Sequence, residues 1–469
     1  MMRDNRNVSR SEGASLLVLV ALYLWTRLMS LRQARRLHLS VPPPEVPVAL
    51  DPGRSQAERA LFLVVDAIPF DLARDLWRAG RMPGFGEPRP MVSVFPSLTH
   101  VAVPALLGDL PHTRPFGYEA RYFHPPSGEV RGGLDPDSER GMAPYRGRPE
   151  GPLGHAATYT LTRAMAFGQI RWMARQVGQH ANPWLGYLPA TDGVAHFDGR
   201  EALGEAVADI FEQLAVLRET CLERDGVVPD VVVCSDHGVC FSELQHLGID
   251  DVARVLALEG YTVGPGDRGV HFAPMGDVGG GAAWCGDEHG AAVANLLAST
   301  PGIELAMAAR EGGCEVFRVR DGLEHAVVAW RDGRFDYRTV RGDPLDLESL
   351  WRGIAPWPDA QAVLETTWDA RYPCAPVRLQ EAFTDLVQWP ATVLFSMAPG
   401  WTFGSAATYA ASLLRGGQVA THGALSRAQT LGFAASTTGG WEPGPLRPAS
   451  VFAPWQDRVL AGYAPLPGD

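Results

Sequence analysis

No two of the six cysteines, Cys221, Cys234, Cys240, Cys285, Cys314 and Cys374, are spaced as CxxC. That excludes a zinc ribbon, and their spread along the chain makes no disulfide framework. There is no basic excess either. Lys and Arg number 41 against 53 Asp and Glu, for a net charge of −12. This balance argues against a nucleic-acid duplex as partner. A small anionic substrate stays open, because a bound cation inverts the local field. No GxGxxG follows the first apolar strand, which removes the dinucleotide-dependent oxidoreductases. No internal repeat is evident.

Long apolar runs are scarce. One covers residues 13–26 (GASLLVLVALYLWT), is broken by Arg27, and resumes to Leu31. It has the length of a signal-peptide core or an interfacial helix. Residues 1–38 are therefore expected to be a signal or anchor segment, making the chain membrane-associated or exported. Arginines on both sides of the run leave the side of the membrane open. Residues 39–58, rich in proline, are expected to be a linker.

The rest alternates strands with helices. LFLVVD (61–66), MVSVF (91–95), PWLGYLPATD (183–192) and VVPDVVVCSD (227–236) have strand character. Residues 70–78, 99–107 and 201–222 have helical periodicity. Such alternation predicts an α/β fold with a largely parallel central sheet and helices on both faces. A core of residues 59–250 and 386–469 is expected, interrupted by a mixed α/β insertion at 251–385. ATVLFSMA (391–398) is expected to return to the core sheet.

Three of these strands end on acids, Asp66, Asp192 and Asp236. In an open α/β sheet the carboxyl ends of the strands share one edge. Three carboxylates gathered there repel each other unless cations intervene. His196 follows Asp192 by four residues and His237 adjoins Asp236. Mixed carboxylate and imidazole donors suit zinc, and also manganese or iron. Taken singly, each aspartate is an ordinary helix cap, so the weight lies in their recurrence at successive strand ends.

The motifs LFLVVDAIPFDL (61–72), VFPSLTHVAVPALLGDLP (94–111), YLPATDGVAHFDG (187–199), VVVCSDHGV (231–239) and ATHGALSRAQTLGF (420–433) resemble the alkaline phosphatase superfamily, in its type I phosphodiesterase and nucleotide pyrophosphatase branch. The resemblance implies an alkaline-phosphatase-like fold and two divalent metal ions, most simply Zn2+. It implies one metal held by Asp192, His196 and His422, and another by Asp66, Thr99, Asp236 and His237. Thr99 would be the nucleophile, and phosphodiester or pyrophosphate bonds the substrate. Metal coordination makes a hydroxyl a competent nucleophile, and a helix start at Thr99 places positive charge beside the phosphoryl group.

His289 and His271 compete with His422 for the last ligand position, and Ser97 competes with Thr99. The family's phosphate-binding asparagine falls here at Glu119, so Glu119 and Arg121 are the substrate-binding candidates. That departure keeps a phosphomonoesterase, phosphonate hydrolase or phosphotransferase in view. No CxPxR segment is present to make a sulfatase. A catalytically silent, membrane-tethered binding protein is the reading of a different class. The presence of all seven site residues argues against it.

Overall fold

In the computed structural model, residues 60–457 are described apart from 109–113, 134–140, 143, 146–164, 166–167 and 175–183. The expected anchor and linker lie outside this range. Among the described residues no helix is long and apolar enough to cross a membrane.

The central sheet has five strands: β1 (Ala60–Val65), β2 (Arg89–Val92), β3 (Trp184–Leu188), β4 (Asp230–Cys234) and β5 (Leu431–Ser436), in the order β2-β5-β4-β1-β3. β1 runs parallel to β3 and β4 on either side of it, whereas β5 is antiparallel to both its neighbours. All six residues of β1 are buried, as a strand covered on both faces must be. Its side chains alternate between two layers. Leu61, Leu63 and Val65 pack with Leu203, Phe211 and Leu214. Phe62 and Val64 face the opposite way, towards Val103, Leu106 and Phe452.

Helix α1 (Phe70–Arg78) follows β1, and α2 (Thr99–Leu106) follows β2. Helix α3 (Ala190–Asp225) begins directly after β3, and Gly199, at φ 83° and ψ −177°, breaks it into a short first segment and a long second one. Only glycine adopts that backbone readily. Here the structure departs from expectation. The strand stops at Leu188, and Asp192 sits in the first turn of the helix rather than on the strand end. Pro189 stands at the helix N-cap and ends the strand early.

A second sheet of eight strands contains residues 262–263, 269–272, 280–284, 303–310, 313–319, 323–331, 334–341 and 393–397. The expected return to the core at 391–398 is therefore corrected. Val393–Met397 pairs with Gly280–Trp284 and Ile303–Arg310, inside this second sheet. The chain re-enters the central sheet only at β5. An apolar strand buried on both faces looks the same in either sheet, so composition could not place it.

The second sheet meets the His422 loop through glycines. A Cβ on Gly280 would lie 2.5 Å from the Gly423 carbonyl oxygen, and Gly279 N–H donates to His422 O at 2.6 Å. A two-stranded pairing of Ala420–Thr421 with Cys240–Phe241 then brings the His422 loop beside the loop after β4.

Candidate metal centre

The parallel strands β1, β3 and β4 deliver their C-terminal loops to one edge. Two clusters form there, Asp66–Asp236–His237 and Asp192–His196–His422, each with ligand-type atoms within 4.8 Å of one another. All six side chains are buried. Thr99, at the start of α2, is half-buried and caps the first cluster. Its Oγ1 lies 3.3 Å from both carboxylate oxygens of Asp66 and 3.2 Å from His237 Nε2. In the second cluster, Asp192 Oδ1 lies 3.2 Å from His196 Nε2 and 3.5 Å from His422 Nε2. The clusters adjoin, since the rings of His237 and His422 stack with centroids 4.1 Å apart.

Whether these residues suit metal ions is decided by their tautomers and charges. His196 Nδ1 is 2.7 Å from Ala420 O, His422 Nδ1 is 3.0 Å from Ser97 O, and His237 Nδ1 is 3.1 Å from Gly238 O. A proton on each Nδ1 satisfies that carbonyl and leaves the Nε2 lone pair facing carboxylates. Lone pair against carboxylate is repulsive, and it is the arrangement used by metal-binding histidines. Burial pushes His237 down to about 4. Burial, with His237 alongside, pushes His422 down to about 3. Both rings are thus neutral donors. For His196 burial also acts downward, but Asp192 overrides it and the pKa is raised.

The acids tell the same story. Burial and repulsion from Asp236 and Asp192 drive Asp66 well above the carboxylate range, and burial raises Asp236 to about 6. Burial acts upward on Asp192 too, yet His196 and His422 hold it below its ordinary value. Asp236 Oδ1 accepts the main-chain N–H groups of Ala67 and His237. Its buried Oδ2 accepts no hydrogen bond among the described residues. The donor set, the tautomers and this unused oxygen all fit divalent cations.

The rival candidates are placed elsewhere. Ser97 is fully buried, with its hydroxyl donating to Val94 O. His289 lies just past the second-sheet strand Gly280–Trp284, near Glu288 and edge-on to Tyr261, and His271 stacks on Phe123. Glu119 Oε2 accepts from Met275 N at 3.0 Å and Gly276 N at 2.6 Å. Burial raises its pKa despite those bonds. Glu119 and Arg121 line a cleft with Pro96, Leu98, Tyr118 and Trp284, adjoining the loop that leads to Thr99.

One contributor escaped the sequence reading. Tyr187, on β3, donates its hydroxyl to Asp66 Oδ2. Its register partner is Val64, two residues before Asp66, so a parallel β1–β3 pairing was the one signal that could have found it.

The architecture is the alkaline-phosphatase-like fold. Among solved structures it matches phosphonoacetate hydrolase from Sinorhizobium meliloti 1021 in complex with phosphonoacetate, at TM-score 0.50 and 13% identity over 87% of this chain and 96% of that one. Murine ectonucleotide pyrophosphatase/phosphodiesterase 5 matches at TM-score 0.45 and 12% identity, over 88% and 97% of the two chains. No protein-family model and no curated protein sequence matches the chain.

Proposed function

We propose that the chain is a metal-dependent phosphohydrolase that cleaves phosphodiester or pyrophosphate bonds through a phospho-threonine at Thr99. The observation that carries this is the Thr99 hydroxyl, within 3.3 Å of Asp66 and His237 and beside a second carboxylate–imidazole cluster. Asp66, Thr99, Asp236 and His237 would hold one ion, and Asp192, His196 and His422 the other. Divalent ions there, zinc by donor chemistry, would acidify the hydroxyl and neutralise charge on the phosphoryl oxygens.

The chain's own groups do the rest. Asp66 orients Oγ1, and the first turn of α2 turns its N–H groups and positive dipole end towards the phosphoryl oxygens. Oγ1 attacks phosphorus, the Thr99–phosphorus bond forms, and the bond to the leaving oxygen breaks. A water oxygen then attacks the phospho-threonine, the Thr99–phosphorus bond breaks, Oγ1 regains a proton from that water, and the phosphate monoester leaves. Arg121 is suited to hold an anionic substrate oxygen from the cleft side.

A phosphomonoesterase, phosphonate hydrolase or phosphotransferase using the same site is the second reading. It is favoured by Glu119, whose carboxylate is engaged with Met275 and Gly276 where a diesterase would place an amide donor. The test is hydrolysis of matched aryl phosphate mono- and diesters by metal-reconstituted protein, alongside Thr99→Ala. Diester preference, about two ions per chain, and an inactive but metal-loaded Thr99→Ala support the first reading. Monoester preference selects the second. A metal-free protein, or an active Thr99→Ala, sinks both.

A further inference from the structure

Arg378, on helix α4 (Ala375–Thr384), is 0% exposed. Its guanidinium is held by neutral acceptors. Nη1 donates to Pro373 O at 3.2 Å and Leu425 O at 3.0 Å, and Nη2 donates to Val94 O and to Ser97 Oγ, both at 3.0 Å. Burial, with Arg447 nearby, lowers its pKa to about 9, which leaves it charged at neutral pH. A buried cation bonded to carbonyls is costly, and an apolar side chain of similar volume would pack there without that cost.

The acceptors explain what the charge does. Val94 and Ser97 belong to the loop that runs from β2 to Thr99, and Leu425 lies three residues past His422. These two loops meet along a seam. Ser97 N–H donates to Gly423 O at 3.3 Å, and Ser97 O is 3.0 Å from His422 Nδ1. Arg378 lies behind the seam and grips both sides with one rigid, planar fork. One turn further along α4, Glu381 pairs with Arg447. Arg447 Nη1 in turn donates to Val92 O and Ser93 O, both at 2.7 Å. Three successive carbonyls, at 92, 93 and 94, therefore face guanidinium groups.

We infer that Arg378 is a positioning residue, whose guanidinium holds the Thr99 loop and the His422 loop in register so that nucleophile and second cluster face each other. Its catalytic consequence rests on the phosphohydrolase reading above; its structural consequence does not. Lysine would keep the charge but lacks the fork. Ser97→Ala removes one acceptor and leaves the charge in place.

The experiment compares wild type, Arg378→Lys and Ser97→Ala as full chains. Amide exchange is read by mass spectrometry in metal-free protein, and kcat and KM on an aryl phosphate ester after metal loading. In Arg378→Lys, peptides covering 97–102 and 422–426 should exchange about tenfold faster, with β1 and β4 unchanged. kcat should fall about 100-fold with KM within about twofold, and Ser97→Ala should move both readouts less, in the same direction. Unchanged exchange in those peptides overturns the inference. So does loosening spread across the whole sheet, or loosening confined to the seam with kcat intact. If Arg378→Lys does not fold, Ser97→Ala decides by the same readouts. Wild type that hydrolyses no phosphate ester sinks the phosphohydrolase reading, while the exchange comparison still decides whether Arg378 holds the seam.

Discussion

The imidazole of His237 lies flat on that of His422, with centroids 4.1 Å apart and planes 14° from parallel. One ring belongs to the loop after β4 and the other to a loop 185 residues later in the chain, as the numbering shows. Each ring turns its Nε2 towards a different carboxylate group, so the stack is a shared wall between two clusters.

This wall predicts unequal effects of removing its halves. His422→Ala is expected to lose about one metal equivalent, the one assigned to Asp192 and His196, and to keep the other. His237→Ala should lose the ion beside Thr99 and silence the nucleophile. Metal counting after gel filtration checks this. Loss of both ions from either variant would mean that the clusters do not bind independently.

Tyr187 predicts a subtler effect. Its hydroxyl is a donor to a buried carboxylate, a bond of about 1.5–3 kcal/mol when one partner is charged. Tyr187→Phe should leave the protein folded but weaken metal binding at the Asp66 cluster by about 10–100-fold. Titration with zinc against a competing chelator measures it. Affinity equal to wild type would show that Asp66 needs no such support.

Glu119 predicts a dependence on pH. Burial raises its pKa, so its carboxyl is easier to keep in the folded state when protonated. Any stability it contributes is full below the ordinary glutamate range and is lost as pH rises through the raised value. Glu119→Gln keeps an oxygen for the Met275 and Gly276 N–H groups and removes the charge. The difference in Tm, variant minus wild type, should therefore grow in the variant's favour as pH rises from about 5 to 8. A difference that is flat across that range contradicts the assignment.

Much of the fold and site was legible because it rests on local pattern. Asp66, Asp236 and His237 follow short apolar strands directly, and Thr99 stands where a proline-containing turn meets a helix. The late ATHGALSRAQTLGF motif points to His422 over His289, and the structure brings His422, not His289, to Asp192. What was missed is non-local. Val393–Met397 joins the second sheet, not the central one, because strand pairing is decided by distant partners. Asp192 stands in a first helical turn and not on a strand end, because Pro189 starts its helix sooner than the apolar run suggests. Arg378 has Glu381 three residues on, which from sequence alone looks like a surface ion pair. In the fold that acid goes to Arg447, and Arg378 turns inward to main-chain oxygens. Tyr187 meets Asp66 across 121 positions.

The three imidazoles are all oriented by peptide carbonyls, those of Ala420, Ser97 and Gly238. A carbonyl oxygen is supplied by every amino acid. Substitution at Ala420 can therefore proceed without altering the acceptor, whereas Gly238 is held to glycine by close packing, since a Cβ there would lie 2.6 Å from the Ala428 and Leu431 carbonyl oxygens. The outer layer of the centre is written in atoms that carry no letter of the alphabet, and its ancestry is better sought by comparing shapes than by comparing spellings.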